Sequence, residues 1–92
     1  MSYGLTIAGD ARADLRSLEP WLQEDLLDEL DILADDPSPL PASAPGGDLV
    51  YAFRRHGGGA NHYLFVTLSR NDATEMLTVL GISYRKLTLP PP

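Results

Sequence analysis

Tyr51-Ala52-Phe53-Arg54-Arg55-His56-Gly57-Gly58-Gly59-Ala60-Asn61-His62-Tyr63-Leu64-Phe65-Val66 contains two aromatic and aliphatic runs joined by three glycines. Such runs on either side of a glycine-rich link spell a β-hairpin. A further run ending Val79-Leu80-Gly81-Ile82-Ser83-Tyr84-Arg85-Lys86 follows a turn at Asn71-Asp72. The expected strands are Leu49 to Arg55, His62 to Ser69 and Glu75 to Tyr84, and their short links imply an antiparallel meander. Gly57-Gly58-Gly59 is a turn here, since a phosphate-cradling loop would need a strand before it and a helix after it.

Upstream, Tyr3 to Ala8 reads as a short strand, and Asp10 as the N-cap of a helix. Leu15, Leu18, Leu22, Leu26, Leu30 and Leu33 then recur at three- and four-residue spacing, which puts a leucine stripe on one helical face. Pro20 divides the stripe. It disfavours helical backbone at Glu19 and suits a first helical position, so one helix runs to about Leu18 and a second from Pro20 to about Ala34. Residues 35–47 hold four prolines and two glycines and form a connector. The order β-α-α-β-β-β predicts an α+β fold. A two-helix hairpin packs by its leucine face on a mostly antiparallel four-stranded sheet, and the other sheet face stays partly open.

At 92 residues the chain makes a single domain, 1–92, with one core, and a 43% hydrophobic composition is too apolar for disorder. It contains no cysteine and only two histidines, so disulfides and thiolate metal sites are excluded and neither metal nor cofactor is expected. No secretory leader or membrane span is legible, and the expected location is cytoplasmic. The net charge of −6 conceals an asymmetry. Residues 1–48 carry 11 acids against Arg12 and Arg16, whereas residues 49–92 carry five cations against Asp72 and Glu75. The acids on the second helix, Glu24 to Asp36, make either a solvated outer face or a surface that repels polyanions or meets a basic partner.

Strand alternation sorts the cations. Leu49, Tyr51 and Phe53 form the core set of their strand, which leaves Val50, Ala52 and Arg54 on the open face. In the last strand Leu77, Val79, Gly81, Ser83 and Arg85 share one side, and Gly81 and Ser83 suit the open face, so Arg85 joins Arg54. If Leu64, Val66 and Leu68 are core, Tyr63, Phe65 and Thr67 line the open face and His62 points inward; the opposite phase exposes His62. The three aliphatics make the better core row. Two arginines converging from strands can hold a phosphate, and a nearby aromatic can stack on a base, which is an RNA-site geometry. The plainer alternative is ordinary edge charge. His62 and His56 can act as general acid or base near neutral pH, and Tyr84 either donates a proton or sits in the core.

Ala11-Arg12-Ala13-Asp14-Leu15, Pro20-Trp21-Leu22-Gln23, Leu27-Asp28-Glu29-Leu30, Leu33-Ala34-Asp35-Asp36-Pro37, the Tyr51-to-Arg55 strand, His62 to Val66 and Ile82-Ser83-Tyr84-Arg85 together resemble the RelE/ParE superfamily of bacterial toxins from type II toxin-antitoxin modules. The resemblance spans nearly the whole chain. It implies two helices on an antiparallel sheet, a growth-inhibiting toxin and a cognate antitoxin partner, with a homodimer left open. RelE-like members cleave mRNA on the ribosome without a metal, so that the ribose 2′-hydroxyl attacks the adjacent phosphate. Carried over by position, Arg54 and Arg85 would bind and stabilise the phosphate, while Tyr84 or His62 would handle a proton; Arg55, Tyr63 and Lys86 beside them are the expected substrate-binding residues. The spelling His62-Tyr63-Leu64-Phe65 also looks like the ParE branch, whose members inhibit DNA gyrase by binding it. A third alternative is a catalytically degenerate orphan that keeps only the fold and a protein partner.

Overall fold

In chain order the elements are β1 (Gly4–Ile7), α1 (Gly9–Arg16), α2 (Pro20–Asp35), β2 (Leu49–Gly57), β3 (Ala60–Asn71) and β4 (Met76–Thr88). The computed structural model describes residues 2–40 and 48–88, so most of the expected connector, 41–47, lies outside the described residues. The β-α-α-β-β-β order is the one the sequence predicts, with β2, β3 and β4 each longer than expected. Pro20 occupies the first turn of α2, where its missing N–H is no loss. The cap of α1 differs from expectation. Ala8, in extended backbone, precedes the helix, and Asp10 sits in its first turn, where a carboxylate complements the positive end of the helix dipole.

The sheet is mixed, with strand order β1-β4-β3-β2. β2, β3 and β4 form the antiparallel meander, and β1 lies parallel to β4, with Leu5 opposite Leu77 and Ile7 opposite Val79. Gly57 pairs with Ala60, so the hairpin turns on Gly58 and Gly59, at φ 60° and 73°. Both angles lie in the left-handed region that glycine enters without penalty, which is why a two-residue turn needs glycine there.

Leu22, Leu26, Leu30 and Leu33 of α2 are buried against Leu64, Val66 and Leu68 of β3 and Leu77 and Val79 of β4. Burying each such side chain contributes about 1.5–3 kcal/mol, and because both helices lie on this side the opposite sheet face is left bare among the described residues.

One expectation fails in β4. Unbroken alternation would put Leu77 and Val79 on the same side as Arg85. The register instead pairs Leu68 with Val79 and Thr67 with Gly81, so Leu80 is an extra residue in a β-bulge. The bulge shifts the phase by one, which buries Leu77 and Val79 while Ser83 and Arg85 face away from the helices. Just beyond it the Ile82 N–H donates to Asp14 Oδ2 at 3.0 Å and ties α1 to this strand.

Candidate functional site

Register places Arg54 of β2 opposite Tyr63 of β3, and Tyr63 opposite Arg85 of β4. Leu64 and Val66 are fully buried toward the helices, so Tyr63 and Phe65 turn to the bare face, and their cross-strand partners turn with them. The result is a row, Arg54-Tyr63-Arg85, with a second row, Ala52-Phe65-Ser83, beside it. Arg54 and Arg85 are exposed, and among the described residues neither takes part in an ion pair. Strands two apart in a sheet lie about 9.5 Å from each other, a span that two extended arginines can bridge to meet on one phosphate. Ala52, Arg54, Tyr63 and Phe65 line a shallow depression on this face. Toward the hairpin, His56 faces the same way, and its Nδ1 lies 3.1 Å from the Asn61 Oδ1.

The remaining sequence-predicted residues lie on the other face. His62 is 2% exposed. Its Nε2 lies 3.0 Å from the Gly57 carbonyl and its Nδ1 2.6 Å from the Tyr84 hydroxyl. A carbonyl only accepts, so Nε2 carries the proton; in the neutral ring Nδ1 therefore accepts and Tyr84 donates. The Trp21 and His62 rings meet edge to face at 5.0 Å between centroids, and the Trp21 N–H donates to Glu19 at 3.0 Å. Burial, and then the negative charge of Glu19, hold the Tyr84 hydroxyl above the usual tyrosine range.

Arg55, expected to bind substrate, is engaged by acids of α2. It donates to Glu29 at 2.9 Å, lies 3.6 Å from Asp25, and rests over the Phe53 ring at 5.0 Å. Tyr51 donates to the same Glu29 at 2.8 Å. Two acids of α2 therefore pair with β2, Glu29 half-buried and Asp25 more open, while Glu24, Asp28, Asp31 and Asp35 are exposed. Lys86 pairs in register with His62 and is exposed on the helix side, away from Arg85. So the structure gathers Arg54, Tyr63 and Arg85, and separates them from His62, Tyr84, Arg55 and Lys86. A proton carrier at His62 or Tyr84 would act through the sheet rather than on a phosphate held by Arg54 and Arg85.

Phe65 is the site residue that the role assignments passed over, although its i, i+2 spacing from Tyr63 already placed both on one face. Arg55 also had a signal, because it continues the Leu49, Tyr51, Phe53 core set. The Trp21 contact to His62 had none, being an encounter between residues distant in sequence. Among the described residues, no group of three His, Asp or Glu side chains could hold a metal ion, and no helix is long and apolar enough to cross a membrane.

No family model and none of the curated proteins matches this chain. Solved structures do. The toxin-antitoxin complex RelBE2 of Mycobacterium tuberculosis contains a chain that superposes with a TM-score of 0.69 at 17% identity, over 92% of this protein and 100% of that chain. The free E. coli toxin RelE, a mutant form, gives 0.67 at 15% identity, over 90% of this protein and 83% of that chain. A chain of the archaeal RelE-RelB complex from Pyrococcus horikoshii OT3 gives 0.60 at 21% identity, over 90% and 94%. The protein has the RelE fold.

Proposed function

We propose that this protein is the toxin of a cytoplasmic toxin-antitoxin pair, that a cognate antitoxin holds it inactive, and that it acts on mRNA at the ribosome through the bare face of its sheet. The observation that carries this proposal is the Arg54-Tyr63-Arg85 row. It puts two arginines, neither in an ion pair among the described residues, around a tyrosine, in a chain whose other half is strongly acidic and whose fold is that of RelE. Solved proteins of this fold include toxin-antitoxin complexes, which supports an antitoxin as partner.

In the proposed reaction the ribose 2′-oxygen attacks the adjacent phosphorus, the bond to the 5′-oxygen breaks, and a cyclic phosphate and a free 5′-hydroxyl result. Arg54 and Arg85 stabilise the charge that builds on the phosphate oxygens. Protons must leave the 2′-oxygen and reach the 5′-oxygen, and the described side chains on this face that could carry them include Tyr63, between the arginines, and His56, beyond Arg54. His62 and Tyr84 support the fold beneath them.

A second reading has one observation in its favour. The buried histidine and its tyrosine lie on the face opposite the arginines, and a protein that works by binding, such as a ParE-like inhibitor of DNA gyrase, needs no proton carrier beside a phosphate. Cell-free translation with the purified protein, followed by primer extension, separates the two. Discrete cuts in the message are expected, while intact message at saturating protein together with inhibited gyrase supercoiling would transfer the protein to the second reading.

A further inference from the structure

We infer that Phe65 is a base-stacking platform beside the phosphate row, so that the face takes an unpaired nucleotide of single-stranded RNA. The inference rests on the RNA reading above and specifies the form of the substrate. Phe65 stands on the central strand β3 with Ala52 opposite on one side and Ser83 opposite on the other. These are among the smallest side chains a strand carries, so the two residues paired directly with the ring leave its flanks clear. Tyr63, one row away on the same strand, is flanked instead by Arg54 and Arg85. The sheet face thus changes from guanidinium-tyrosine-guanidinium to small-aromatic-small within two residues.

That change matches the two halves of a nucleotide. The phosphate is anionic and multiply accepting, and suits the arginine row. The base is flat and apolar on its faces, and suits an aromatic ring with cleared flanks. Phe65 is 36% exposed, an apolar ring left open to water although the core lies on the other side of the same strand. The depression lined by Ala52, Arg54, Tyr63 and Phe65 joins the rows, so one nucleotide can reach both. A base that is paired and stacked within a duplex presents no free face, which restricts the ligand to single strands. Opposite charge favours a polyanionic occupant: Arg54 and Arg85 put two guanidiniums on this face, and among the described residues neither takes part in an ion pair.

The test uses the full chain and a short single-stranded RNA carrying 2-aminopurine, whose fluorescence is quenched on stacking. Binding to the wild type should quench the probe, and a hairpin of the same composition should compete poorly. Phe65→Leu keeps the apolar bulk and removes the π face; it should relieve the quench and weaken binding roughly tenfold. Phe65→Trp should restore both, and an unchanged thermal midpoint shows that the fold survives. If Arg54→Ala abolishes binding while Phe65→Leu binds and quenches like the wild type, the stacking platform is wrong and the RNA reading stands. Equal competition by the hairpin also overturns the platform. If the wild type binds no RNA at all, the RNA reading fails and the platform with it.

Discussion

The Tyr84 hydroxyl donates a 2.6 Å hydrogen bond to Nδ1 of His62, a ring whose other nitrogen is held by the Gly57 carbonyl and which packs edge to face with Trp21. Every polar atom of this buried imidazole therefore has a partner, and one of the two is removable without disturbing the ring stack. Tyr84→Phe leaves Nδ1 unsatisfied, and an unmet buried acceptor costs about 1–3 kcal/mol. Denaturant unfolding should show a loss of that size. At temperatures where the variant is folded, message cleavage should stay within a few-fold of wild type, because the hydroxyl faces the helices. A hundredfold loss with unchanged stability would place Tyr84 among the reacting groups.

Arg54 and Arg55 are neighbours in sequence with opposite surroundings, and that makes them controls for one another. Arg54→Ala and Arg85→Ala should leave the unfolding midpoint nearly unchanged and lower cleavage about 10²-fold or more each, the usual loss when a charge-stabilising donor is removed. Arg55→Met should do the reverse. Its ion pair with Glu29 is partly exposed, so the stability loss should be about 0.5–1 kcal/mol and should shrink in high salt. Equal toxicity of the Arg54 and Arg85 variants and the wild type in a growth assay would remove the phosphate site.

The contrast between Arg54 and Arg55 also shows where the sequence is readable. Strand parity is local, so it separates Arg54 from the core set at once, and Gly58-Gly59, Pro20 and the leucine stripe fix turn, helix start and buried face in the same way. The parity of β4 misleads because the extra residue at Leu80 is set by pairing with β3, a contact that no window of β4 contains. His62 and Tyr84 meet across 22 residues, and Trp21 reaches His62 from a helix, so the partners that decide between a buried prop and an exposed acid-base group lie outside local pattern. The pairing of Asp25 and Glu29 with β2 is similar, since an acidic helix face looks uniform until the strand beneath it supplies Arg55 and Tyr51.

Stability should decline on the alkaline side, and two tyrosines should carry much of the decline. The Tyr51 hydroxyl is raised above the usual range by its hydrogen bond to Glu29 and then by burial, and Tyr84 is raised by burial and then by Glu19. The fold thus prefers the neutral phenol. For such groups stability is fully present below the unfolded tyrosine value of about 10 and is lost as pH rises through the higher folded values. Thermal midpoints measured from about pH 8 to about pH 11 should fall, and the fall should flatten in the Tyr51→Phe, Tyr84→Phe double variant. An undiminished slope in that variant would assign the alkaline loss to other groups.

Gly57 carries the last test, because it is where the hairpin, the buried histidine and α2 meet. A Cβ added there would lie 3.1 Å from Trp21 Cη2 and 3.4 Å from its Cζ2, closer than an aromatic ring accepts without moving. The ring cannot retreat freely, since its N–H is bonded to Glu19 and it is packed against His62. Gly57→Ala should therefore cost about 1–3 kcal/mol, as overpacking does. The protein has a single tryptophan, so its emission reports this one site, and displacement toward water should shift it to the red. Emission and midpoint both unchanged in the Gly57→Ala variant would mean that Trp21 is not wedged against the hairpin, and the support beneath the Arg54-Tyr63-Arg85 row would have to come from the leucines of α2 alone.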